Sequence, residues 1–109
     1  MLLDVRSYTV RPGGLKAHLD LYEKYGKTPQ TRHLGQPLAY LMAETGDPNE
    51  YLHIWVYENA ADREARRAAM RSDPEWLEYT KQSAELGALV RQQNKLMTPV
   101  DFFDFKPPA

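Results

Sequence analysis

Apolar and polar positions along "YLHIWVY" repeat with a period of two: Leu52, Ile54 and Val56 fall on one side of the chain, and Tyr51, His53, Trp55 and Tyr57 on the other. That period belongs to a strand, here one with aliphatic residues on one face and aromatic residues plus a histidine on the other. The stretch "LLDVRSYTV" is rich in β-branched and aromatic residues and is stopped by Pro12, Gly13 and Gly14, which predicts a first strand over residues 2–10. The period then changes. Leu15, Leu19, Tyr22 and Tyr25 recur at helical spacing, and Gly26 offers a left-handed cap, so a helix is expected to end there with "KTPQTRHLGQP" as a loop.

"LAYLMAET" reads as a second strand, and the turn formers of "GDPNE" join it in a hairpin to the strand that opens at Tyr51. Asn59 is placed to cap a helix carrying "ADREARRAAMR", with Asp62 adding negative charge near its positive end. Ser72 and Glu75 have capping-box spacing around Asp73 and Pro74, so a third helix should begin near Trp76 and carry Trp76, Tyr79, Ser83 and Leu86 along one side. "ALVRQQNKLMTPV" extends to Pro99 as a fourth strand, and residues 100–109 form a tail.

The order β-α-β-β-α-α-β predicts an α+β domain: a ferredoxin-like split β-α-β with a four-stranded antiparallel sheet and helices on one face. Helices on one side leave the other side of the sheet bare. Burying a large side chain is worth about 1.5–3 kcal/mol, and the aromatic face is the one expected to lie bare and to need a cover. A second copy of the same sheet supplies it most simply, which predicts a homodimer.

The remaining bounds come from size and composition. A chain of 109 residues is a single domain, 1–109, large enough for a core of its own. With 14 basic and 15 acidic residues the formal net charge is −1, so no global field gathers nucleic acid or an anionic bilayer. Cysteine is absent, removing thiolate chemistry and disulfides. The N-terminal stretch has Asp4 and Arg6 where a signal peptide needs an apolar core, and no apolar run approaches the roughly 18 residues of a membrane span. A soluble, cytoplasmic protein is expected.

His53 is the first candidate for chemistry, because a neutral imidazole exchanges protons near neutral pH. Its alternative is a buried histidine satisfied by a strand neighbour or a partner chain. Trp55 and Tyr57 suit stacking on a planar ligand, or equally packing in a dimer interface. Arg6 and Tyr8 share a face of the first strand and would bring a cation and a phenol to the same space, unless Arg6 pairs with Asp4 or a helix acid. Tyr40 and Met42 extend an apolar wall or pack the core. Arg63, Arg66, Arg67 and Arg71, interleaved with Asp62 and Glu64, read as a solvated helix face with spaced ion pairs. His18, His33 and His53 have no metal-site spacing, and no phosphate loop or serine-hydrolase elbow is present.

The chain resembles the NIPSNAP family of the dimeric α+β barrel superfamily, in which two ferredoxin-like protomers pack their sheets into a barrel. The resemblance rests on His53, Trp55 and Tyr57 of "HIWVY", Arg63 and Arg67 of "DREARR", and "DPEW" at residues 73–76. "VRSYTVRPGGL", "LGQPLAYLMAETGDPN" and "QNKLMTP" extend it over nearly the whole chain. It implies a fold and a dimer more than a reaction. Barrel relatives include cofactor-independent monooxygenases, isomerases and cyclases, so two functions are carried forward. One is a small-molecule-binding protein that uses His53 on an aromatic or polyketide-like substrate without a cofactor. The other is a non-catalytic interaction protein whose aromatic face makes the dimer.

Overall fold

The computed structural model describes residues 1–109. Strands β1 (Leu2–Val10), β2 (Ala39–Met42), β3 (Glu50–Tyr57) and β4 (Leu89–Met97) form one antiparallel sheet in the order β2-β3-β1-β4. Helix α1 (Leu15–Leu21) runs through a π-helical turn, Tyr22–Gly26, into α2 (Lys27–Leu34), while α3 (Ala60–Arg71) and α4 (Pro74–Leu86) fill the second crossover. The expected α+β, ferredoxin-like order is present, with β1 and β3 central. No helix is long and apolar enough to cross a membrane.

Local signals explain most boundaries. Asn59 caps α3 by accepting the Asp62 N–H at 2.8 Å. At α4 the cap is Asp73 and not Ser72: its carboxylate accepts the Glu75 N–H at 2.9 Å, and Pro74 takes the first helical position, where no N–H is needed.

The expected loop after Gly26 is instead helical as far as Leu34. Gly26 has a φ of −98°, so it is no left-handed cap; the helix ends instead at Gly35, whose φ of +82° favours glycine. Glycine at 26 answers a different need, because a Cβ there would lie 3.0 Å from ring carbons of both Tyr22 and Tyr79. Pro29 is tolerated because it falls in the first turn of α2, just past the π-turn.

The two faces of the sheet are the reverse of the sequence expectation. Tyr51, His53, Trp55 and Tyr57 are all buried beneath the helices, and Trp55 is fully inaccessible. Pairing aligns Trp55 with Asp4, His53 with Arg6 and Tyr51 with Tyr8, so the even-numbered residues of β1 share that covered face. The bare face is the aliphatic one, with Leu3, Val5, Leu52, Ile54 and Val56 half-buried and Leu41 exposed. The large rings fill the wide space under the helix layer, whereas the shorter aliphatic chains suffice for a flat outer surface. An aromatic face held in reserve for dimerisation is therefore not present.

Candidate functional site

A cavity of about 450 Å³ lies between the covered face of the sheet and the helices. Strands β1 and β3 supply Arg6, Tyr8, Tyr51 and His53; α3 supplies Arg67, Met70 and Arg71; α4 contributes Trp76 and Tyr79. A second, shallower space of about 300 Å³ opens at the β2 edge, lined by Tyr40, Met42 and Leu19 among others. His53, Tyr22 and Tyr51 border both.

His53 is enclosed by rings. The centroids of Tyr8, Tyr22, Tyr40, Tyr51 and Trp55 lie 5.2, 5.1, 4.7, 5.2 and 6.0 Å from its own. Its Nδ1 is buried with no hydrogen-bond partner. Burial, then the Arg6 cation, then His18 push the imidazole down to about 3, so it stands neutral at neutral pH. Of the two sequence alternatives for His53, a proton-exchanging group and a buried histidine, the burial is present, and it leaves a weakly basic imidazole at the border of the cavity.

Several polar groups around this ring are tied down. His18 Nε2 and the Tyr51 hydroxyl share a hydrogen bond, and Tyr51 stacks on Tyr8 at 4.8 Å. Tyr22 donates to Gln30 Oε1, leaving its oxygen to accept from the Tyr40 hydroxyl 2.9 Å away. Burial raises the phenols of Tyr22 and Tyr51, and that of Tyr79 to about 12, so all three remain protonated donors at neutral pH.

At one end of the cavity, Asp4 is fully buried and organises cations. Its Oδ2 accepts from Arg6 Nη1 at 3.2 Å and from Arg63 Nε at 3.0 Å, and its Oδ1 accepts from Asn94 Nδ2 at 3.0 Å. Burial alone would raise this carboxyl, but the Asn94 hydrogen bond and the two guanidinium groups outweigh it and hold it below the usual carboxylate range. Arg6 Nε also donates to the Tyr8 hydroxyl at 2.9 Å. Both sequence alternatives for Arg6 therefore hold at once: it pairs with Asp4 and borders the cavity.

Of the sequence-predicted site residues, Arg6, Tyr8 and His53 come together at the first cavity, and Tyr40 and Met42 border the second space. Trp55 and Tyr57 border neither. They pack with Leu34 and Met70 under α2 and α3, flanked by Trp76, which makes them core rather than ligand-stacking residues. Arg67, read from the sequence as part of a solvated helix face, instead borders the cavity; Arg63, Arg67 and Arg71 stand at successive four-residue steps and so share one helix face. No group of three or more His, Asp or Glu side chains converges to hold a metal.

A split β-α-β domain with a cavity under its helix layer belongs among the ferredoxin-like folds. This chain belongs to the NIPSNAP family, whose model matches residues 3–103. It is 34% identical over 76 residues to Protein NipSnap homolog 3A of Homo sapiens, a match covering 69% of this chain and 30% of that protein. The chain thus aligns with less than a third of the length of that relative. A NIPSNAP family protein of unknown function from Agrobacterium tumefaciens superposes with a TM-score of 0.86 at 34% identity, covering 95% of this chain and 92% of that one. An uncharacterised NIPSNAP-like domain protein from Burkholderia xenovorans does so with a TM-score of 0.88 at 34% identity, covering 98% and 91%. A putative antibiotic biosynthesis monooxygenase from Nitrosomonas europaea shares the fold alone, with a TM-score of 0.64 at 11% identity over 92% of this chain and 99% of that one.

Proposed function

We propose that this chain is a cytoplasmic, homodimeric small-molecule-binding protein whose cavity performs cofactor-independent proton chemistry on an aromatic or polyketide-like substrate. The observation that carries this reading is the pairing, at one cavity of about 450 Å³, of a neutral His53 and an Arg6 cation held in place by Asp4. The ring-lined walls of Tyr8, Tyr51, Trp76 and Tyr79 suit a planar guest.

The chemistry follows from the charges. A carbonyl compound with an acidic C–H gives its proton to the His53 imidazole, and the electron pair moves onto the carbonyl oxygen near Arg6. The enolate so formed sits beside the new imidazolium and raises its basicity, which compensates for the weakness of the ring as a base. Return of the proton to another carbon is an isomerisation; attack of the enolate on a second carbonyl is a cyclisation. Oxidation by dioxygen is a third fate of the same carbanion.

The dimer in this proposal forms through the aliphatic face. Leu52, Ile54, Val56, Leu3 and Val5 make a continuous apolar strip that no helix covers, and Phe102 and Phe103 of the tail add exposed apolar surface. A non-catalytic interaction protein would rest on that same strip, not on the aromatic residues. Binding and turnover of a panel of polyphenols, quinones and β-diketones by the wild type and by His53→Gln tests the reading. Saturable binding with turnover that disappears in a stably folded variant is expected; a wild type that neither binds nor converts any of them would overturn it.

A further inference from the structure

The arginines around Asp4 do not balance. Arg6 and Arg67 line one end of the cavity with Arg63 close by, and the single carboxylate among them, Asp4, already accepts from both Arg6 and Arg63. Arg66, by contrast, pairs outward with Asp62 at 2.9 Å. Arg67 is half-buried, borders the cavity, and forms no ion pair with any Asp or Glu. Counting one negative charge against three positive leaves two uncompensated cations in a partly desolvated space. A guanidinium taken from water without a counter-charge is costly, and a fixed excess of such charge is the usual preparation for an anion.

We infer that the cavity's ligand is a planar carboxylate, an aromatic or conjugated acid whose carboxyl group is gripped by Arg67 with support from Arg6 while its ring lies among Tyr8, Trp76 and Tyr79. This names the substrate class for the site proposed above and rests on that cavity being the binding site. Guanidinium matches a carboxylate with two parallel N–H donors, which a phenol or ketone does not use fully. Burial, followed by the nearby Arg6, makes Arg67 less willing to stay charged, and a bound anion relieves that penalty. The neutral His53 then faces the rest of the ligand without competing for its charge. The opposite arrangement, a neutral ligand, would leave Arg67 without a counter-charge in the complex as well.

The test compares 2-naphthoate with 2-naphthamide, which share rings and shape but differ in charge, by titration calorimetry against wild type and Arg67→Met. Wild type should bind the carboxylate at least tenfold more tightly than the amide. Arg67→Met should lose about tenfold to a hundredfold of affinity for the carboxylate, the range for a hydrogen bond to a charged group, and bind the amide unchanged. Thermal unfolding of the ligand-free proteins supplies a check that the variant folds; it should melt at or above the wild-type temperature because an uncompensated cation is gone. Equal affinity for the two compounds, or an unchanged carboxylate affinity in Arg67→Met, would overturn the carboxylate assignment while leaving the small-molecule site intact. If neither compound binds the wild type at millimolar concentration, both the assignment and the site fall.

Discussion

Arg63 donates its Nε–H to Oδ2 of Asp4 at 3.0 Å, joining α3 to β1 across 59 positions of sequence. Because Arg6 shares the same oxygen, this pair is the point where the helix layer is locked to the covered face of the sheet. Asp4→Asn should therefore destabilise by about 3 kcal/mol, at the low end for breaking a buried ion pair, since Arg6 and Arg63 keep some access to water. Urea unfolding measures it. A loss within the error of a surface substitution would show that the cations are solvated enough to need no partner.

The pH dependence has a defined sign at the start of α4. Hydrogen bonds from His33, the Glu75 N–H and Arg32 draw Asp73 down to about 2. The unfolded carboxyl titrates near 3.9, so the unfolded chain binds the proton first. This contribution is complete above about pH 4 and is lost as the pH falls toward 2. Asp73→Asn should flatten the acid limb of the stability curve in that window; an acid limb of unchanged slope would remove Asp73 from the account.

His53 acts in a higher window. Its folded-state value of about 3 lies below the unfolded value of about 6.5, so between these limits the unfolded chain takes up a proton that the folded one refuses. Stability should fall progressively below about pH 6.5. His53→Phe removes this term together with the unpartnered Nδ1, so it should leave stability at pH 7 within about 1 kcal/mol of wild type or raise it. Thermal melts from pH 7 to pH 4 would show the variant's midpoint falling less than the wild type's. Parallel curves would mean that His53 is solvated.

Much of the frame was legible because local chemistry and tertiary packing agree there. The hairpin at "GDPNE", the cap at Asn59 and the two-residue period of β3 all act through neighbours in sequence. A period of two divides residues between faces but does not say which face meets the helices. The missing information was long-range: Asp4 and Arg63 meet only if the even positions of β1 look toward α3. The helix beyond Gly26 was hidden for a related reason. Gly26 and Pro29 are breakers by local rule, and only the approach of Tyr79 from α4 explains why a glycine sits inside a helix. Arg67 was obscured by acids interleaved along the same helix, of which Asp62 serves Arg66 instead.

Gly26 itself gives the next test. Alanine there would gain about 0.5–1 kcal/mol from helix propensity. Its Cβ would press on Tyr22 and Tyr79 at 3.0 Å, and Tyr22 is held by Gln30 and Tyr40, so the ring has little freedom to retreat. Overpacking of this kind costs about 1–3 kcal/mol. Gly26→Ala should come out destabilising by about 1 kcal/mol in chemical denaturation and should weaken any cavity ligand. A stabilised variant would show that the rings yield freely.

The last prediction concerns the face that no helix covers. Ile54 lies at its middle, paired with Val5 on β1 and with Ala39 on β2. If this face makes the dimer, wild type should sediment at twice 12.6 kDa, and Ile54→Lys should sediment at 12.6 kDa while keeping its fold, because the lysine replaces a side chain that is only half-buried in the protomer. Trp55→Ala should behave in the opposite way. The indole lies wholly beneath the helices, so its loss should destabilise the protomer by about 3–5 kcal/mol without preferentially dissociating the dimer. Measuring sedimentation and unfolding for both variants separates the two faces of one strand. A wild type that stays monomeric at micromolar concentration would refute the dimer, and dissociation by Trp55→Ala but not by Ile54→Lys would move the interface to the other side of the sheet.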